Sequence, residues 1–101
     1  MLEKEVERKL KKQVEHKIPG AQCLKFVSPG TSGVPDRLIL IPGGTVVFVE
    51  LKAPGKKERK LQTFIQNRLR KNGFLVFSSV DSDAKIHEVI KVCEEVYHER
   101  I

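Results

Sequence analysis

The chain has 101 residues, with 19 Lys plus Arg against 13 Asp plus Glu, a formal net charge of +6. That length allows one modest core, since domains cluster at roughly 100–150 residues. With 40% hydrophobic and 32% charged residues the chain is neither a disordered tail nor a membrane protein. The apolar runs Leu38–Ile41, Val46–Val49 and Phe74–Phe77 fall far short of the ~18 residues a membrane span needs. The charge-alternating N-terminus MLEKEVERKLKK lacks the apolar stretch of a secretory signal. Cys23 and Cys93 show no CxxC spacing, so neither a zinc site nor a disulfide scaffold is indicated and a reduced, intracellular setting is expected.

In chain order, residues 2–17 read as a helix, with Val6, Leu10 and Val14 at four-residue spacing. Ile18-Pro19-Gly20 ends it. A short strand is expected over 21–27, then the loop SPGTSGVP. RLILI (37–41) and TVVFVEL (45–51) flank Pro42-Gly43-Gly44 and read as a hairpin, apolar enough to be buried on both faces. Residues 53–57 form a loop. A second helix spans 58–72, with Leu61, Phe64, Ile65 and Leu69 on one face and Gly73 closing it. FLVFSSV (74–80) is a strand, and 84–99 a third helix capped by Asp81, Ser82 or Asp83. The order is αβββαβα in one domain, 1–101, with a mixed α/β sheet expected. His16, His87 and His98 are scattered and read as surface residues; Cys23 and Cys93 read as small core residues.

The charge is unevenly placed. Residues 52–73 carry eight basic side chains against one Glu, whereas 81–101 are net acidic. A basic run is commonly a solvated helix face, but here it begins beside a cluster of opposite character. Side chains alternate along a strand, so Glu50 and Lys52 share a face and Leu51 points away. If the turn is centred between Gly43 and Gly44, opposed residues have numbers adding to about 87, which brings Asp36 beside residues 50–52. Two close carboxylates resist joint ionisation, and a divalent cation relieves that conflict. Hard oxygen ligands, Asp36, Glu50 and the Leu51 carbonyl, favour Mg²⁺ or Mn²⁺. A purely structural reading would have Asp36 cap a turn and Glu50 pair with Lys52 or Arg37. The glycine-rich loop and the +7 segment favour a phosphodiester ligand instead. Candidate phosphate contacts are Lys25, Arg37, Lys56, Lys57, Arg59, Lys60 and Arg68.

Gly33-Val34-Pro35-Asp36 followed by Glu50-Leu51-Lys52 resembles the PD-(D/E)xK nuclease signature. The fuller run SPGTSGVPDRLILIPGGTVVFVELKAPGKKERKLQ resembles the virus-type replication-repair nuclease domain, VRR-NUC, in its small standalone phage and bacterial form. The resemblance implies a restriction-endonuclease-like core and a cytoplasmic, Mg²⁺- or Mn²⁺-dependent deoxyribonuclease, in a bacterial or phage-infected cell. It further implies a homodimer acting on branched DNA such as four-way (Holliday) junctions, in replication, repair or recombination. Asp36 and Glu50 would be metal ligands, Lys52 would orient water, and Gln62 would contact water or phosphate. A Glu on the first helix is also implied. With Val6 at 0°, Glu3 falls at about 60°, within the apolar stripe, and Glu7 at about 100°, at its edge; Glu3 is therefore the first choice and Glu7 the second. The competing readings are a non-catalytic nucleic-acid-binding module using the 52–73 face, which would have no use for Asp36 or Glu50, and a small partner protein whose charges only solvate it.

Overall fold

The computed structural model describes residues 1–100. Its elements are α1 (Glu3–Lys17), β1 (Gln22–Lys25), β2 (Arg37–Ile41), β3 (Thr45–Leu51), α2 (Lys60–Lys71), β4 (Leu75–Val80) and α3 (Asp83–Arg100). The four strands form one sheet in the order β1-β2-β3-β4. The first two pairings are antiparallel and β3–β4 is parallel, with α2 as the crossover. The expected element order and mixed sheet are both present.

The hairpin register differs by one residue from the sequence expectation. Arg37 faces Val49 and Ile41 faces Thr45. The turn is therefore centred on Gly43, with Gly43 and Gly44 at φ 102° and 99° and the Gly44 N–H bonded to the Ile41 carbonyl at 3.1 Å. Only glycine adopts such angles cheaply, so the paired glycines permit a three-residue turn. One residue of register decides which face every side chain occupies. The ladder ends at Arg37–Val49, and Asp36, one residue before it, reaches the end of β3 through its Oδ1, which accepts the Leu51 N–H.

The odd-numbered residues of the hairpin form the core. Ile39, Ile41, Val47, Val49 and Leu51 pack with Val6, Leu10, Val14 and Ile18 of α1 and with Ile86, Val89, Ile90 and Cys93 of α3. The expectation of burial on both faces holds for this face alone. On the even face Leu38, Leu40 and Phe48 are only partly covered. Phe48 stacks with Phe26 at 6.2 Å and edge-on with Phe74 at 5.5 Å between ring centroids, geometries that aromatic quadrupoles favour.

The second helix is rotated from its expected orientation, with Ile65 and Leu69 of the apolar stripe still partly buried. Leu61 and Phe64 are 48% and 55% exposed, while Gln62 and Gln66 are buried. One turn apart, the two amides share a face and point at polar partners from the sheet. That hydrogen-bonded alternative outweighs burial of the apolar stripe. Cys23 and Cys93 are buried free thiols, pushed up by desolvation to about 11 and about 12 respectively, so neither is a reactive thiolate. All three histidines are exposed.

Candidate functional site

Asp36 ends the loop before β2. Its carbonyl accepts the Phe26 N–H at 2.8 Å, and its Oδ1 accepts the Leu51 N–H at 3.1 Å. The carboxylate is thus bound to the backbone of the strand that carries Glu50. The loop is pressed against α2 at Gly33, where a Cβ would meet the Leu61 side chain at 2.9 Å and its carbonyl oxygen at 3.1 Å. Gly33 also has φ 87°, so both space and conformation call for glycine.

Glu50 is 4% exposed. Its Oε2 accepts from Gln62 Nε2 at 3.0 Å and lies 3.3 Å from Lys52 Nζ. Lys52 Nζ also donates to Gln62 Oε1 at 3.0 Å. The same Oε1 accepts the Arg59 N–H at 2.9 Å, half of a capping box at the start of α2. With two donors on its oxygen, the Gln62 amide can only turn its NH₂ toward Glu50. Glu50, Lys52 and Gln62 thus form a closed triangle whose orientation is set by the helix N-terminus. The other Glu50 oxygen, Oε1, is buried with no hydrogen-bond partner among the described residues.

Both carboxyls resist ionisation. Asp36 is raised above the ordinary carboxylate range first by desolvation, opposed by the Leu51 N–H and Arg37. Glu50 is raised by desolvation and then by the Asp36 charge, opposed by Lys52. An orphaned buried carboxylate oxygen beside a second desolvated carboxylate fits a hard divalent cation, which would satisfy the oxygen and hold both groups ionised. Among the described residues no cluster of three or more His, Cys, Asp or Glu could enclose a metal. Two carboxylates with a carbonyl suit a cation that completes its shell with water and substrate phosphate, as Mg²⁺ does.

The first-helix carboxylates divide differently from expectation. Glu3 is exposed rather than inward, because the buried stripe begins only at Val6. It remains close enough for its charge to help raise Asp36. Glu7 is half-buried and meets Arg37 at 2.5 Å. Arg37, expected to face DNA, is instead 6% exposed, pinned between Glu7 and the Asp36 carbonyl at 2.8 Å. A buried guanidinium needs such partners, so Arg37 braces the Asp36 loop and is withdrawn from the surface. Lys25, Lys56, Lys57, Arg59, Lys60 and Arg68 are all exposed. Arg68 lies over the Phe64 ring at 5.8 Å and borders a groove of about 270 Å³ with Ser28, Thr31 and Asn72.

A second polar cluster, around Glu58, Gln66, Ser78 and Ser79, was not expected. Its signals in the sequence are faint. Glu58 is the lone acid of the basic segment, and Gln66 follows Gln62 by one helical turn.

No family model matches the sequence. A candidate nuclease, p44, of Acyrthosiphon pisum secondary endosymbiont phage 1 is 56% identical over 43 residues, which are 43% of this chain and 46% of that protein. The match thus spans about half of the phage protein's length. A solved structure described as a VRR_NUC domain superposes with a TM-score of 0.68 at 29% identity, covering 85% of this chain and 95% of that one. The chain thus shares its fold with that VRR_NUC domain, and the GxPD and ExK segments that carry the sequence resemblance are joined in it by the bond from the Leu51 N–H to Asp36.

Proposed function

We propose that this single domain is a metal-dependent DNA endonuclease that hydrolyses phosphodiester bonds. The observation that carries the reading is the Glu50 carboxylate. One oxygen is tied to Lys52 and Gln62, while the other is buried and unpartnered among the described residues, in a carboxyl that also feels the Asp36 charge. Asp36, Glu50 and the Leu51 carbonyl would hold Mg²⁺ or Mn²⁺. When bound, the cation would polarise the scissile phosphate and lower the pKa of water. Lys52, with its ammonium fixed by Glu50 and Gln62, stabilises negative charge developing on the phosphoryl oxygens. Gln62 keeps Lys52 and Glu50 in register with each other. Glu7 acts through Arg37 to hold the Asp36 loop, and Glu3 adds negative charge at the rim. Lys25, Lys56, Lys57, Arg59, Lys60 and Arg68 hold the DNA backbone, with the groove beside Arg68 as one strand's path.

The substrate is branched DNA, such as a four-way junction, and the active form is a homodimer inside a bacterial or phage-infected cell, serving replication, repair or recombination. One chain offers one such site, so paired cuts on two strands call for two copies about a two-fold axis. Exposed Leu61 and Phe64 supply an apolar patch on α2 for that contact. No helix among the described residues is long and apolar enough to cross a membrane.

The test is a cleavage panel of single strands, duplexes, flaps and four-way junctions with Mg²⁺, Mn²⁺ or EDTA. The parent cuts with metal and prefers the junction; Asp36→Ala and Lys52→Ala bind DNA but do not cut. Metal-independent binding with no cleavage of any substrate would leave only a binding module. Binding should fall steeply with salt as phosphate contacts release counterions. Analytical ultracentrifugation should find a dimer that Phe64→Asp dissociates; a monomeric parent that still makes paired cuts would overturn the dimer.

A further inference from the structure

The strand beside Glu50 carries an irregularity that the proposed chemistry does not use. Val49 pairs with Phe77 but Leu51 pairs with Val80, so Glu50 alone faces both Ser78 and Ser79. This extra residue is a β-bulge, a device that re-aims side chains and occurs often near active sites. It lets Phe77 and Val80, three positions apart, both reach the core. It also sets Val80 where its carbonyl accepts the Lys52 N–H at 3.1 Å.

The bulge is strained. Ser79 has φ 50° and is the one non-glycine residue with positive φ among those described. Such a conformation is disfavoured for a residue with a Cβ and persists only where its surroundings enforce it. The enforcement comes from side chains. Glu58 Oε1 accepts from the Ser79 N–H at 3.0 Å, from Ser79 Oγ at 3.1 Å and from Gln66 Nε2 at 3.3 Å. Lys85 Nζ donates to the Ser79 carbonyl at 2.9 Å. Ser78 Oγ donates to Gln66 Oε1 and accepts from Arg70 at 2.6 Å. The α2 amides therefore work in sequence, with Gln62 gripping Glu50 and Lys52 and Gln66 gripping the bulge opposite them.

We infer that Glu58 is a positioning residue: it locks the Ser78–Ser79 bulge, and the bulge holds the Glu50–Lys52 segment of β3 in place. Core burial anchors Phe77 and Val80; of the groups that hold the two residues between them, Glu58 is the one that binds both the N–H and the hydroxyl of the strained Ser79, while Lys85 and Arg70 add one bond each. The inference rests on the proposed nuclease site, because it assigns Glu58 an effect on that site's rate.

The experiment compares Glu58→Ala, Glu58→Gln and Asp36→Ala on the preferred DNA, at a temperature where circular dichroism finds each variant folded. Glu58→Ala should lower kcat by about 10–100-fold, the usual effect of removing a group that orients a ligating side chain. KM should stay within about twofold of the parent, because the DNA-holding cations are untouched. Glu58→Gln keeps an acceptor for the Ser79 N–H and should restore most of the rate, which a generic loss of packing would not predict. Ser79→Val, which cannot hold a left-handed conformation cheaply, should lower kcat with Glu58 intact, and it serves if Glu58→Ala does not fold. Parental kcat in folded Glu58→Ala or in Ser79→Val, or no rescue by Glu58→Gln, overturns the inference while Asp36→Ala stays inactive. Cleavage by Asp36→Ala would instead overturn the nuclease site itself.

Discussion

On one face of the sheet, Ile39, Val47, Val49 and Leu51 meet α1 and α3 through aliphatic side chains. On the other, α2 presents Gln62 and Gln66 to Glu50, Lys52 and Ser78, and leaves Leu61 and Phe64 half in solvent. The two faces share the same strands, often through adjacent residues such as Glu50 and Leu51. Stability is concentrated on the first face, where the aliphatic side chains are almost fully buried. The second buries Glu50 and partly buries Asp36, carboxyls that resist ionisation, and holds them with hydrogen bonds, which costs stability and fixes geometry. The domain thus uses its aliphatic face to offset a site that would not stand alone.

The sharpest way to break the comparison is to damage each face and read stability and cleavage separately. Leu10→Ala on the aliphatic side removes a fully buried side chain and should cost about 2–5 kcal/mol. Thermal melting should register this as a fall of roughly 4–8 °C per kcal/mol, with kcat unchanged wherever the variant is folded. Gln62→Leu should do the opposite on the polar side. It removes the link between Glu50, Lys52 and the Arg59 N–H and should lower kcat by about 10–100-fold, visible in single-turnover cleavage. Equal losses of kcat from both variants would erase the distinction.

Gly33→Ala tests the seam between the Asp36 loop and α2. A Cβ there would press on the Leu61 carbonyl at 3.1 Å in a backbone that disfavours side chains. The expected cost is about 1–3 kcal/mol, read by chemical denaturation, with cleavage falling alongside because Asp36 moves with the loop.

Asp36→Asn should act with the opposite sign. The Asp36 and Glu50 carboxyls are raised in the fold, so the folded chain holds their protons more tightly than the unfolded chain does. Their contribution favours folding at pH below the ordinary carboxyl range and turns into a cost as pH rises through the raised values. Asparagine mimics the protonated acid at every pH. In EDTA, parent and variant should melt together in acid and diverge toward neutral pH, with Asp36→Asn the more stable and inactive. An unchanged difference across that range would mean that desolvation of Asp36 does not bear on stability. The smallest effect belongs to Phe64→Ala, which should change the stability of the single chain by no more than about 0.5 kcal/mol, since the ring is 55% exposed.

Much of the fold could be read from the residues because local signals agreed with the tertiary outcome. Val6, Leu10 and Val14 at helical spacing, the Pro-Gly-Gly turn and the VVFVEL run lead to α1 and the β2–β3 hairpin with little ambiguity. The misreadings share one cause: a pattern names a face without naming what covers it. In α2 the apolar stripe Leu61, Phe64, Ile65, Leu69 reads as the inward face, yet the helix is rotated so that Gln62 and Gln66 are buried and Leu61 and Phe64 exposed, with Ile65 and Leu69 only partly covered, because the sheet offers the glutamines partners. Arg37 counted as a surface cation until Glu7, thirty positions away in sequence, neutralised it. Glu3 lay on the helical stripe by angle but ahead of the turn where the stripe meets the core.

By itself the sequence determined the element order, the pairing of GxPD with ExK across a hairpin, and a basic segment starting at Lys52. All three follow from chain-local periodicity, turn chemistry and charge. Only the tertiary structure decided the one-residue hairpin register, the bond that ties Asp36 to the Leu51 N–H, the orphaned Glu50 oxygen, and the bulge at Ser78–Ser79 with its Glu58 clamp. Those depend on which distant groups arrive to satisfy a buried donor or acceptor, and no spacing along the chain encodes the identity of a partner.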